Sequence, residues 1–134
     1  MLGTLRANGW PRVSPCEPDF AGGRLLLGMM WQSPKARDLL RDDRCVVHSC
    51  TSQRQGDEGD FKLYGRAVDV QDPELRELYR ETIRARIDWA PDEPEYHLFS
   101  IEVESAGFVI FGKEMYGLAW NRADGLRRWK IDGE

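Results

Sequence analysis

Histidine and cysteine are scarce in this 134-residue chain, two and three respectively, and the scarcity excludes several chemistries at once. None of Cys16, Cys45 and Cys50 lies in a CxxC pair, which argues against a zinc site or a thioredoxin-like dithiol. An odd thiol remains in any pairing scheme, so the reducing cytoplasm is the consistent compartment. Neither His48 nor His97 has a second ligand at metal spacing, so no metal site is expected. No apolar run approaches the ~18 residues of a membrane span. The longest, Leu25 to Trp31, is broken by Gly28 and is strand-sized. The first residues lack the basic and apolar regions of a signal peptide. There is no repeat, no low-complexity segment, no glycine-rich dinucleotide fingerprint, and no Ser/His/Asp or Cys/His arrangement. Basic excess is missing too: 19 Lys and Arg face 23 Asp and Glu, for a net charge of −4 and a pI near 5.3. Duplex nucleic acid, which needs a basic face, is thereby disfavoured. The cluster Arg122, Arg127, Arg128 and Lys130 is short and flanked by acids, so only a local pocket for a small phosphate stays open.

What remains is ordinary for one globular domain: 41% apolar and 31% charged residues. Period-two runs separated by glycine turns fill the first third, as antiparallel hairpins do. Strands are expected over Leu2–Ala7, Arg12–Asp19 and Arg24–Met30, with turns at Asn8-Gly9 and Gly22-Gly23. Pro15 and Pro18 make the second an edge or bulged strand. Arg24–Met30 is apolar enough to be buried on both faces. Ser33-Pro34 opens a helix with Ala36, Leu39 and Leu40 on its apolar face, ended by Asp42-Asp43. Cys45–Thr51 reads as a strand in which Cys45 and Cys50 act as small hydrophobes. Gln53–Asp60 is a polar loop, and Phe61–Val70 a strand with a bulge or close approach at Gly65. Asp72-Pro73-Glu74 starts a second helix whose apolar face is Leu75, Leu78, Tyr79, Ile83 and Ile87. Tyr96–Glu104 and Phe108–Phe111 are two strands joined at Ser105-Ala106-Gly107, followed by Met115–Trp120 and Leu126–Ile131. The whole is a mainly antiparallel β-barrel with two helices.

The stretch Leu27-Gly-Met-Met-Trp-Gln-Ser-Pro-Lys-Ala-Arg-Asp-Leu-Leu40 carries the most chemical information. Lys35 sits in the first turn of a helix, where partial positive charge already resides. A bound phosphate would reconcile the two, held by first-turn N–H groups, the Ser33 hydroxyl and Lys35. The alternative is a solvated lysine beside an ordinary cap. Lys62 and Tyr64 share one strand face, either a ligand groove or solvent. His48 reads as a hydrogen-bonded structural residue and His97 as plain surface. Trp120 and Trp129 suit either a ligand cover or an interface.

In order, Gly9-x-Pro11-Arg12-Val13-Ser14-Pro15, Leu26-x-Gly28-Met29-Met30, Ser33-x-Lys35-Ala36-x-Asp38-Leu39, Asp43-Arg44 and Lys62-Leu-Tyr-Gly-Arg-Ala67 with Asp72-Pro73 resemble the pyridoxamine 5′-phosphate oxidase-like split β-barrels. The resemblance runs from Leu2 to about Arg128. It implies a homodimer holding flavin mononucleotide (FMN), or the deazaflavin coenzyme F-420, in a groove between subunits. It implies that Arg12, Val13, Ser14 and Pro15 line the ring from the second strand and Gly28, Met29 and Met30 from the third. Gly28, lacking a Cβ, would let a planar ring approach, and Met29 or Met30 would pack on it. Ser33 and Lys35 would take the phosphate, Lys62 the ribityl or phosphate oxygens, and Trp120 would cover the partner's flavin. Pro34 stands where the family's Ser-Arg-Lys segment has arginine, which points to a divergent branch; Arg37 is a partial substitute. Relatives usually begin with a helix, whereas a strand starts here at about Leu2, as if the start were internal or the member trimmed. The function implied is an oxidoreductase moving hydride to or from a small substrate, with no catalytic residue singled out. The alternatives are an F-420-dependent reductase, a non-catalytic flavin or haem binder, and a structural dimer without cofactor.

Overall fold

The computed structural model describes residues 1–53, 57–112 and 115–131. In chain order it contains β1 (Leu2–Leu5), β2 (Pro11–Ser14), β3 (Pro18–Ala21), β4 (Arg24–Met30), α1 (Pro34–Arg41), β5 (Arg44–His48), β6 (Asp60–Asp69), α2 (Pro73–Ile87), β7 (Tyr96–Phe111), β8 (Met115–Asn121) and β9 (Gly125–Lys130). All pairings are antiparallel, in the order β2-β1-β5-β6-β7-β4-β3, with β8 and β9 branching from β7. The sheet does not close, because β2 and β3 are both edges.

Two strand expectations change. The run Arg12–Asp19 is not one strand but two: β2 pairs with β1 and β3 with β4. Pro15 and Pro18 withhold ladder N–H groups where the chain changes partner, which is the physical reason for the break. Conversely, no turn forms at Ser105–Gly107, and β7 runs unbroken for 16 residues. It pairs with β6 from Phe99 to Val109. Its other edge meets β4 through Ile101 and β8 from Ser105. The fork lies between them, and it is what splits the barrel. At Gly65 the β6–β7 register shifts, and a Cβ there would fall on the Glu102 carbonyl oxygen. The expected bulge is therefore also a close backbone contact.

β4 is buried on both faces, as its composition requires. Leu25, Leu27 and Met29 enter one core with Phe99, Ile101, Val47 and Leu39. Leu26 enters a second with Tyr79, Ile83, Tyr96 and Leu98 beneath α2. Leu26, Leu27 and Leu98 are fully enclosed, each contributing about 1.5–3 kcal/mol from burial.

The helix faces differ from expectation in detail. Leu40, Leu78 and Ile87 are exposed, whereas Asp38 in α1 and Arg76 in α2 are buried. Each of these charged groups is bonded inward and takes the space a stripe of hydrophobes would have filled. Asp38 accepts from Thr4 Oγ1 at 2.9 Å, Arg12 Nε at 2.6 Å and Arg41 Nη2 at 3.1 Å. Cys45 is buried, and burial pushes its thiol up to about 12. Cys50 lies past the end of β5 and is exposed, against expectation. The loop at 53–60 falls partly outside the described residues. No helix among the described residues is long and apolar enough to cross a membrane.

Candidate functional site

Where β4 runs out into α1, a cavity of about 810 Å³ opens beside α2. Among its walls are Pro15, Gly28, Met29, Met30 and Lys35, five of the residues singled out from the sequence. Gln32, at a positive φ of 53°, reverses the chain between strand and helix. Ser33 then caps α1 without a side-chain cap bond, and its Oγ is buried with no partner. The first turn contains no acid. Lys35 Nζ donates to Pro15 O at 2.6 Å, which ties α1 to the segment after β2. An ammonium has three N–H donors, so this bond leaves others for an anion. Ser33 and Lys35 thus share the start of α1, an unsatisfied hydroxyl and a cation of the kind that suits phosphate; of the two only Lys35 lines the cavity, whose walls also carry Glu17, Asp92 and Glu95.

The other assignments separate. Met29 is 4% exposed and mainly core, while Met30 is 80% exposed at the cavity. Gly28 does line the cavity, but the approach it permits is that of a protein group. A Cβ there would collide with the Tyr79 hydroxyl, and burial raises that phenol to about 12. Arg12 turns to Asp38. Burial pushes the Asp38 carboxyl up, but bonds from Arg12, Thr4 and Arg41 outweigh it, and the net shift is downward. Val13 is exposed and Ser14 half-buried on edge strand β2, outside this cavity. Lys62 lies on β6, 3.4 Å from Asp60 Oδ1. Trp120 lies on β8 opposite Ala106. Neither reaches the cavity within one chain.

Sequence reasoning passed over several walls: Cys16, Trp31, Tyr79, Trp89 and Tyr96. Tyr79 was legible only as helix core, and Trp89 and Tyr96 lie on a turn and a strand whose position the fold alone provides. His97 is a plain correction. It is 6% exposed rather than surface, stacked on Trp31 with ring centroids 4.4 Å apart and planes 6° apart. Burial lowers its pKa. It is buried because β7 pairs Met29 with His97, bringing the histidine under the strand end that carries Trp31. His48 keeps a structural setting, with Nδ1 2.5 Å from Ser49 O.

The family model of pyridoxamine 5′-phosphate oxidase matches residues 1–110. The chain belongs to that family. Among curated proteins no match is found. Among solved structures, the family fold recurs in PhzG from Burkholderia lata 383 in complex with tetrahydrophenazine-1-carboxylic acid. It has a TM-score of 0.72 and 15% identity, over 98% of this chain and 80% of that one. A pyridoxamine 5′-phosphate oxidase-related, FMN-binding protein from Nostoc punctiforme PCC 73102 has a TM-score of 0.68 and 14% identity, over 98% and 85%. A heme-binding protein from Mycobacterium smegmatis has 0.66 and 17%, over 96% of this chain but 51% of that one. These likenesses fix the fold as a split β-barrel of the family, and the family includes flavin-binding members.

Proposed function

We propose that the protein is an FMN-dependent oxidoreductase, with coenzyme F-420 as the alternative cofactor, acting on a small molecule. The observation that carries the reading is the partnerless Ser33 Oγ at the start of α1 with Lys35 in the same turn. An orphaned buried hydroxyl costs stability, and a cofactor oxygen bonded to it would recover that cost. Ser33, Lys35 and the first-turn N–H groups would hold the cofactor phosphate, and Pro15, Met30 and Trp31 would flank the ring. The bound flavin supplies hydride transfer, while the protein supplies position and exclusion of water. Proline at position 34 removes one cation but also an N–H that has no helical partner in any case.

The site is completed, in this reading, by a second copy of the chain, which brings Lys62 and Trp120. Three free thiols suit a cytoplasmic setting. Titration with FMN and with F-420, followed by fluorescence, tests the proposal. We expect one of them to bind, and Lys35→Ala to weaken it about tenfold or more, the worth of one charge-assisted phosphate contact. Binding of neither cofactor refutes it.

A second reading is a non-catalytic haem binder, favoured by the likeness to the M. smegmatis protein. A Soret band on haem addition, with no response to either flavin, would establish it.

A further inference from the structure

Trp31 lines the first cavity beside Met30, and it also lines a second one of about 630 Å³. The sheet does little to hold it. The last pair of the β4–β7 ladder is Met30 with Tyr96, and Gln32, at a φ of 53°, already turns the chain away. The Trp31 side chain is mostly exposed. Among the described residues the one aromatic ring packed on it is that of His97, with centroids 4.4 Å apart and planes 6° apart.

His97 is itself held from the core. It is buried, faces Met29 across the ladder and lies 6.2 Å from the ring of Phe99, with 22° between the planes. Phe99 is 1% exposed. Three rings thus run in series from the core to the exposed indole. His97 lines the second cavity and not the first, so it does not touch a ring bound in the first. What it can fix is the plane of the indole that does.

The imidazole is more than a plate. Its Nε2 is buried without a hydrogen-bond partner, a cost that a phenyl ring would not carry. The charged and titratable groups around the second cavity are Asp69 at the end of β6, Arg76 and Glu77 on α2, Glu93 before β7 and Tyr96 at its start. Arg76 and Glu93 neutralise each other through bonds of 2.9 and 2.8 Å, and the Tyr96 hydroxyl donates to Glu93 at 3.1 Å. Glu77 pairs with Arg80 at 2.7 Å. Asp69 accepts an amide bond from Gln71 at 2.7 Å. Burial holds the His97 pKa below the ordinary 6.5; Asp69 opposes that fall and Arg76 adds to it. At neutral pH the ring under Trp31 is therefore uncharged, and it takes up a proton only in acid solution.

We propose that His97 is a positioning residue, which holds the Trp31 indole in place at the wall of the first cavity and thereby sets the affinity of a planar ring bound there. This rests on the cofactor reading, in which Trp31 flanks the flavin ring. FMN and F-420 are the probes, titrated by fluorescence into His97→Leu, Trp31→Ala and the double variant. Leucine keeps the burial and removes the plate. Each single variant is expected to bind about threefold to tenfold more weakly, the worth of one aromatic stack, and the double variant no more weakly than Trp31→Ala. His97→Phe restores the plate and the affinity, which separates the role from a folding defect. A second readout needs no cofactor, because an imidazolium in contact with an indole quenches its emission more than a neutral imidazole does. The emission of Trp31, taken as the difference from Trp31→Phe, is expected to fall as pH drops through a midpoint below 6.5, and the fall is absent in His97→Phe. Losses that multiply in the double variant, full affinity in His97→Leu, weak affinity in His97→Phe, or a Trp31 emission indifferent to pH would overturn the proposal alone. Failure of both probes to bind the parent chain would overturn the cofactor reading and the proposal with it.

Discussion

At the scale of single residues, the geometry of the proposed phosphate site depends on a charge that lies outside it. Asp38 joins β1 through Thr4, β2 through Arg12 and its own helix through Arg41. The elements that carry Ser33, Lys35 and Pro15 are thereby held together. Because the folded carboxyl has a pKa below its unfolded value, its stabilisation is complete above the unfolded pKa, near 4. It is lost as pH falls through the lower folded value. Arg12 and Arg41 keep 30% and 42% of their side chains exposed, so screening trims the contribution to about 1–2 kcal/mol. Urea denaturation across the acid range should show Asp38→Asn less stable at neutral pH by that amount. Its stability should also fall less steeply as pH drops below 4. An unchanged acid slope would remove Asp38 from this role.

At the scale of elements, glycines differ by what surrounds them. A Cβ at Gly65 would meet the backbone of Glu102 in the neighbouring strand, which cannot swing aside as a side chain can. At Gly107, further along the same ladder, the nearest atom is Lys62 Cγ at an ordinary 3.5 Å. Gly65→Ala should therefore cost about 2–4 kcal/mol by forcing the bulge open, and Gly107→Ala less than about 1 kcal/mol. Thermal unfolding of the two variants side by side checks this, and equal Tm shifts would contradict it. The bulge was legible as a glycine inside a strand pattern. The unbroken β7 was not, because Ser105-Ala106-Gly107 has turn composition. Pairing with β6 on one edge and β8 on the other satisfies the backbone there and overrides the local preference.

At the scale of the whole molecule, one chain exposes 8881 Å². A compact monomer of 15.5 kDa is expected to expose about 7,200 Å². Large hydrophobes are exposed on the sheet, including Tyr64, Val68 and Phe111 at 49%, 43% and 52%. Association of two copies would cover such a surface. Sedimentation is expected to give twice the chain mass, and cofactor affinity is expected to fall on dilution below the dimer's dissociation range. A monomer binding flavin at full affinity would show that one chain suffices.

The sequence by itself determined the two helices and most of the strands, though not the division of β2 from β3 or the continuity of β7, together with the doubly buried β4, the proline-capped helices, the Gly65 irregularity and the placing of Ser33 and Lys35 at one helix start. Each of these is written in neighbouring residues, through periodicity, capping chemistry or proline's missing donor. Only the tertiary structure decided that Arg12 turns to Asp38, that Tyr79 occupies the face of Gly28, and that His97 lies buried under Trp31. Those outcomes join residues 26, 51 and 66 positions apart in the chain. Strand pairing and the packing of α2 select such partners among many chemically equivalent ones, and no local pattern encodes that choice.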